Sequence, residues 1–172
     1  MPFTIRPATP HDEEAVGALL RASYGTLLED AYAPQTLEKA LPVLTRPRPE
    51  LLASGRYYIA EFAGLGPAGC GGWSLDAPDN PGAPADPATG HLRHFATHPD
   101  AVRHGVGRCL LETCVAEARA AGVRQFRCIS TRQAVPFYTA LGLRAVGPMP
   151  CRLAPDVVLP GVALVLDLDA WA

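Results

Sequence analysis

The chain has 172 residues, 48% of them hydrophobic and 19% charged, with a formal net charge of −2. That length suits one domain with a substantial core, and the near-neutral balance excludes a general nucleic-acid or anionic-membrane surface. Of the 15 basic residues only Lys39 is a lysine, a bias that reads as coding preference.

The first strand runs from Phe3 to Arg6 and breaks at Pro7. Thr9 or Asp12 is positioned to cap the helix that follows, with Glu13 and Glu14 in its first turn and Val16, Leu19, Leu20 and Ser23 on one face. A second helix spans Pro34 to Leu44 and closes at RPRPE. Tyr57 to Ala63 and a strand ending near Leu75 form a hairpin about the turn Gly64 to Pro67. Gly69-Cys70-Gly71-Gly72 inside the second of these strands marks a bulge or a close backbone approach. Asp76 to Thr89, with a proline at every third position, is an extended mobile surface loop, with a lid as the alternative.

The central strand, from Gly90, places Leu92, His94 and Ala96 on one face and His91, Arg93, Phe95 and Thr97 on the other. His98-Pro99-Asp100 ends it. The turn Arg103-His104-Gly105-Val106-Gly107-Arg108 leads into a helix over Cys109 to Ala121, whose stripe Val106, Leu110, Cys114 and Ala118 faces the sheet and which stops at Gly122. A strand, a glycine turn and a helix start make an anion site: unpaired N–H groups converge there, the helix dipole is positive, and no side chain blocks Gly105 or Gly107. By itself Gly-x-Gly also reads as a plain tight connection. A strand at Gln125 to Ser130, a short helix at Gln133 to Leu141, and strands at Leu143 to Val146 and Val162 to Leu168 complete the chain. The order is β-α-α-β-β-β-α-β-α-β-β, an α/β fold with a central mixed sheet of about seven strands flanked by helices, and residues 1–172 read as a single domain.

The start, MPFTIRPATP, lacks a charged-then-apolar signal, no apolar run is long enough to span a membrane, and Cys70, Cys109, Cys114, Cys128 and Cys151 show no CxxC spacing. The expectation is a cytoplasmic protein with reduced thiols, and these cysteines read as core residues rather than a ping-pong nucleophile. A metal site built from His91, His94, His98 and His104 is not expected, because alternate residues of a strand diverge and no acidic partner is near.

HPDAVRHGVGRCLL, followed downstream by AVPFYTALGLRAVG, resembles the motifs of the GCN5-related N-acetyltransferases, the GNAT superfamily. The resemblance covers essentially the whole chain, with its specific part between Gly90 and Gly147. It implies an acetyl-coenzyme A (acetyl-CoA) cosubstrate and no metal. The pantetheine arm would pair with the central strand at a bulge near Phe95-Ala96-Thr97. The pyrophosphate would rest on main-chain N–H groups of Arg103, His104, Gly105, Val106, Gly107 and Arg108, with Gln133 in the same binding set. The family pattern opens on Arg or Gln, where this chain has Val102; Arg103 lies one place later.

The chemistry that the resemblance implies has three requirements. An alkyl amine of pKa near ~10 is almost wholly protonated at neutral pH, so a base must take its proton. The developing oxyanion needs a fixed donor, for which the family uses a backbone N–H, here near Ala96. The leaving thiolate needs an acid, and Tyr138 matches the family's tyrosine; packing of the Phe137-Tyr138 pair onto the sheet is the alternative. His91 is the expected base, its ordinary imidazole pKa near ~6.5 suiting the task, with a solvated strand-start histidine or a water relay as alternatives. His94, of opposite parity, reads as packed or solvated. The acceptor pocket is expected between the first two helices, their loop and the last strands, with Tyr24, Glu29, Asp30 and Tyr32 toward a cationic amine and Tyr58 and Trp73 as core or wall. The expected activity is direct acetyl transfer in a ternary complex to a primary amine, on a small molecule or a protein. No nucleic-acid or membrane partner is expected, and a homodimer is left open. A non-catalytic acyl-CoA-binding module or sensor, a longer acyl group and a hydroxyl acceptor are the rival readings.

Overall fold

In the computed structural model, which describes residues 3–172, the chain runs β1 (Phe3–Pro7), α1 (Glu13–Leu27), α2 (Pro34–Leu44), α3 (Pro49–Leu52), β2 (Tyr57–Phe62), β3 (Gly66–Ser74) and β4 (Thr89–Thr97). It continues α4 (Val106–Ala120), β5 (Gln125–Thr131), α5 (Val135–Ala140), β6 (Arg144–Pro148), β7 (Cys151–Ala154), β8 (Val157–Leu159) and β9 (Gly161–Asp167). Among the described residues seven strands form one sheet, in the order β1-β2-β3-β4-β5-β9-β6, and β7 pairs with β8 in a separate hairpin. The pair β4/β5 is parallel, while β1/β2, β2/β3, β5/β9 and β6/β9 are antiparallel. The mixed α/β sheet expected from the sequence is the one that forms, and α4 is the crossover that its parallel pair requires.

The chain divides into two compact units, one of residues 3–72 with His94–Cys114, the other of Trp73–Arg93 with Val115–Ala172. In the first unit, β3 shows how the layers are built. Cys70 lies in a buried cluster with Val16, Leu19 and Leu20 of α1, Leu51 and Leu52 of α3, and Tyr57 and Ile59 of β2. Its neighbour Gly69 faces the other way, where a Cβ would stand 2.5 Å from Val106 Cγ1 and 3.2 Å from Leu110 Cδ1, both on α4. Helices therefore cover both faces of the strand. Gly71 shares Gly69's parity, and the Phe95 ring lies 2.6 Å from where its Cβ would be. On the opposite face a Cβ at Gly72 would meet Tyr57 Cα at 2.7 Å. The glycine run is thus a set of close approaches. A bulge also exists, one residue earlier, where the register passes from Ala60↔Gly69 to Glu61↔Pro67 and leaves Ala68 unmatched.

Of the two expected caps, Thr9 is the N-cap of a 3-10 turn, Pro10–Asp12, that leads into α1, and Asp12 is not a side-chain cap of α1 itself. Asp12 precedes the helix but makes no side-chain cap bond to it. Its carboxylate instead accepts from the Thr9 N–H at 2.8 Å and from Arg6 Nη2 at 2.8 Å, and Arg6 also reaches Glu61 at 2.9 Å. The guanidinium holds the Asp12 carboxyl well below its ordinary range. β1, the first turn and β2 are tied together by this cluster.

The second unit is centred on Trp73, fully buried, whose Nε1 donates to Glu117 Oε2 at 2.9 Å and whose ring lies 5.8 Å from that of Phe126. Gly90 is required beside it: a Cβ there would come within 2.7 Å of the Phe126 ring. The short helix expected from Gln133 begins as a 3-10 turn, Arg132–Ala134, and becomes α-helical only at Val135. The β7–β8 hairpin was not anticipated. Pro155-Asp156 marks a turn there, but a turn residue pair by itself does not distinguish a hairpin from a loop.

Candidate active site

The first unit carries the main-chain features. Among the described residues, His94 (φ 54) and Arg103 (φ 66) are the non-glycine residues with positive φ, and Gly105 (φ 79) follows. Such a conformation costs a non-glycine residue about 1–2 kcal/mol, so the surrounding bonds must hold it. At His94 they do. The Tyr57 hydroxyl donates to the His94 carbonyl at 2.9 Å, and the Tyr24 hydroxyl donates to the Phe95 carbonyl at 3.0 Å. His94 Nε2 lies 2.7 Å from the Leu44 carbonyl, which only accepts, so this nitrogen carries the proton. His94 is therefore a packed residue. The distortion of β4 falls on it, one residue before the expected bulge at Phe95-Ala96-Thr97. The Ala96 N–H is directed to the Cys70 thiol, which it favours in the thiolate form, although burial dominates and pushes that thiol up to about 12.

β4 ends where the His98 N–H donates to the Ala68 carbonyl at 2.8 Å, and a 3-10 turn, Pro99–Ala101, follows. The helix begins where its apolar stripe begins, at Val106, ahead of the expected start at Cys109: the Cys109 N–H already bonds to the Gly105 carbonyl at 3.0 Å. Val106, Gly107 and Arg108 thus form the first turn of α4 rather than part of the loop, because one glycine costs a helix only about 1 kcal/mol. First-turn N–H groups have no acceptor within their own helix, so this end of α4 presents donors and positive potential. Arg103, His104 and Gly105 are exposed beside it. The His104 ring is braced by the Val102 carbonyl at 3.0 Å and by the Phe62 ring at 5.8 Å.

The second unit carries the side chains. His91 is half-buried and registers with Arg127 across the β4/β5 pair. Burial lowers its pKa below the ordinary 6.5, with Asp79 opposing and Arg127 and Arg93 reinforcing the shift. Tyr138 is 6% exposed, packed edge-on against Phe137 at 5.0 Å. Its hydroxyl hydrogen-bonds the Cys128 side chain, whose thiol burial pushes up to about 12. Arg127 and Cys128 are consecutive in β5 and point to opposite faces, the first exposed and the second buried. His91 and Tyr138 therefore approach this part of the sheet from opposite sides. Gln133 sits at the head of α5, and its Oε1 is buried without a hydrogen-bond partner, a state that costs about 1–3 kcal/mol until a donor arrives.

Of the expected acceptor residues, Tyr24 is committed to the Phe95 carbonyl, Tyr32 and Tyr58 are buried, and Glu29 and Asp30 are exposed between α1 and α2. Trp73 is core. The five cysteines are free thiols. Among the described residues no group of three or more His, Cys, Asp or Glu side chains is arranged to hold a metal ion, and no helix is long and apolar enough to cross a membrane. Sequence reading missed Tyr57 and the main-chain role of Tyr24, since nothing in the residues around them points to a partner so distant in the chain.

Residues 81–152 match the family model of the acetyltransferase (GNAT) domain. No curated protein matches the chain. Among solved structures, a GCN5-related N-acetyltransferase from Rhodopseudomonas palustris superposes with a TM-score of 0.77 at 20% identity, covering 97% of this chain and 96% of that one. The PaiA N-acetyltransferase of Thermoplasma acidophilum, solved with coenzyme A, gives 0.71 at 14% identity over 97% and 99%. N-acetylglutamate synthase of Neisseria gonorrhoeae, solved with coenzyme A and N-acetyl-glutamate, gives 0.61 at 20% identity, with 98% of this chain covering 35% of that one. The sheet order and the matched segment define an α/β acetyltransferase fold of the GNAT type. The match over residues 81–152 supports acetyl transfer as the class of activity, and the solved structures show that the chain has the fold of the GCN5-related N-acetyltransferases.

Proposed function

We propose that residues 1–172 act as one acetyl-CoA-dependent N-acetyltransferase domain that acetylates a primary amine by direct attack in a ternary complex. The observation that carries this reading is the turn Arg103 to Gly105, with two positive-φ residues, leading into first-turn N–H groups of α4. This is the arrangement that a pyrophosphate recognises. The orphaned Gln133 Oε1 supports it independently, because an amide N–H of a pantetheine arm is the kind of donor that it lacks.

Acetyl-CoA, when bound, supplies a thioester. In this reading the residues of the chain do the rest. Phe95, Ala96 and Thr97 align the arm along β4, and Arg103, His104, Gly105, Val106, Gly107 and Arg108 hold the phosphates. His91, kept neutral by burial, takes a proton from the ammonium form of the acceptor, so that the nitrogen lone pair attacks the carbonyl carbon. As the C–S bond breaks, Tyr138 gives its phenolic proton to the departing sulfur. A small amine or amino acid is the favoured acceptor, in line with the N-acetyl-glutamate of the Neisseria relative.

The test is a calorimetric titration with acetyl-CoA, run beside Gly107→Glu and, at an exposed position of the same turn, Arg108→Glu. Wild type is expected to bind and both variants to lose most of the affinity. Thiol release with an amine panel then measures turnover. Absence of wild-type binding overturns the reading, and binding without turnover on any amine favours the non-catalytic module.

A further inference from the structure

Five groups from four separate stretches of the first unit converge on two residues of β4. Tyr57 of β2 and Cys70 of β3 address the His94 carbonyl, at 2.9 Å and 3.9 Å. Tyr24 of α1 addresses the Phe95 carbonyl at 3.0 Å, the Leu44 carbonyl at the end of α2 takes the His94 ring at 2.7 Å, and Gly71 leaves room for the Phe95 ring. Tyr57 is fully buried and burial raises its pKa well above the ordinary 10.0, so its hydroxyl stays a donor throughout the working pH range.

From this convergence we infer that Tyr57 and Tyr24 are positioning residues for the acyl-donor strand, each fixing the direction of one peptide unit beside Phe95. Among the described residues no peptide bond is cis, and in a planar trans unit the C=O and the following N–H point in opposite directions. Holding the His94 carbonyl on Tyr57 turns the Phe95 N–H the other way. Holding the Phe95 carbonyl on Tyr24 turns the Ala96 N–H toward Cys70, where it is found. The left-handed His94 makes this orientation dependent on its surroundings: without the two hydroxyls the His94 and Phe95 carbonyls lose their O–H donors, and the strained unit is freer to relax toward a regular strand, with its polar groups redirected. The first-turn amides of α4 are set by the helix itself, so only the pantetheine side of the donor depends on the tyrosines. This inference rests on the acetyl-CoA reading above.

The experiment uses the full chain and its Tyr57→Phe, Tyr24→Phe and double variants, with two calorimetric probes. One is acetyl-CoA; the other is 3′-phosphoadenosine 5′-diphosphate, which has the phosphates but no pantetheine arm. Each single variant is expected to weaken acetyl-CoA about five- to tenfold, the worth of one such hydrogen bond, while leaving the nucleotide within about twofold. Equal loss for both probes means a general loss of structure and overturns the inference, as does unchanged acetyl-CoA binding in the double variant. If wild type binds neither probe, the acetyl-CoA reading fails first. Amide exchange of the segment 92–98 then decides the positioning role by itself. Exchange about tenfold faster in Tyr57→Phe, with α4 unchanged, sustains it; unchanged exchange overturns it.

Discussion

The proposed phosphate turn in the first unit and the proposed His91–Tyr138 set in the second are built from opposite materials. The turn is main chain: it consists of two positive-φ residues leading into a helix start, and the side chains of Arg103 and His104 are exposed around it. The other set is side chain: a half-buried imidazole and a buried phenol whose properties come from what surrounds them. The difference teaches which substitutions each region tolerates. A main-chain site survives most side-chain changes and fails when charge or bulk enters the turn. A side-chain site fails at single atoms while the fold stays intact.

The sharpest way to break the comparison is Tyr138→Phe, which removes one buried oxygen. Turnover is expected to fall on the order of 10²- to 10⁴-fold, the range for losing a general acid, with acetyl-CoA affinity within about twofold of wild type. Unchanged turnover in thiol-release kinetics removes Tyr138 from the mechanism. His91→Ala comes next, with a loss of about 10²-fold and a change in pH profile. Burial lowers the His91 pKa below 6.5, so the imidazole is free base at neutral pH, and activity falls only as pH drops through that lowered value. The acid limb of kcat/KM is therefore expected to have its midpoint below 6.5 in wild type and to disappear in His91→Ala; a midpoint above 6.5 points to another base.

Stability probes sharpen the same contrast at lower amplitude. Gly72→Ala forces a Cβ to within 2.3 Å of the Arg56 carbonyl and 2.7 Å of Tyr57 Cα, both backbone atoms that cannot swing aside. A loss of about 1–3 kcal/mol is expected in denaturant unfolding. Gly105→Ala, with nothing within 4 Å of its Cβ but a φ of +79, is expected to lose about 1 kcal/mol through conformation alone. The smallest effect is Asp12→Asn, about 1 kcal/mol at neutral pH, because Arg6 is partly exposed. The Asp12 pKa is lowered on folding, so its stabilisation is full above the ordinary carboxylate range and is lost as pH falls through the folded value. The gap between wild type and Asp12→Asn should therefore close in acid.

Much of the fold was legible in the residues. The stripe Val106, Leu110, Cys114 and Ala118 is buried as its spacing requires, and the glycine turn announces a place where the chain must bend left-handed. The hairpin at Cys151–Leu159 was not legible, since two short strands around Pro155-Asp156 look the same as a loop when their pairing is unknown. The candidate site divides in the same way. Local pattern singled out Gly105, Gly107 and Tyr138, but not Gln133's missing partner, because burial and hydrogen-bond satisfaction are properties of the surroundings.

By itself the sequence determined the alternation of strands and helices, the location of the turn and the identity of its motif, all of which depend on residues within a few positions of one another. Only the tertiary structure decided that His94 rather than Phe95 carries the strand's distortion, that Tyr57 and Tyr24 hold the His94 and Phe95 carbonyls, and that His91 and Tyr138 reach the sheet from opposite faces. The physical reason is distance along the chain: Tyr57 and His94 are 37 residues apart and Tyr24 and Phe95 are 71. A hydrogen bond between such partners exists only once packing has closed the chain between them.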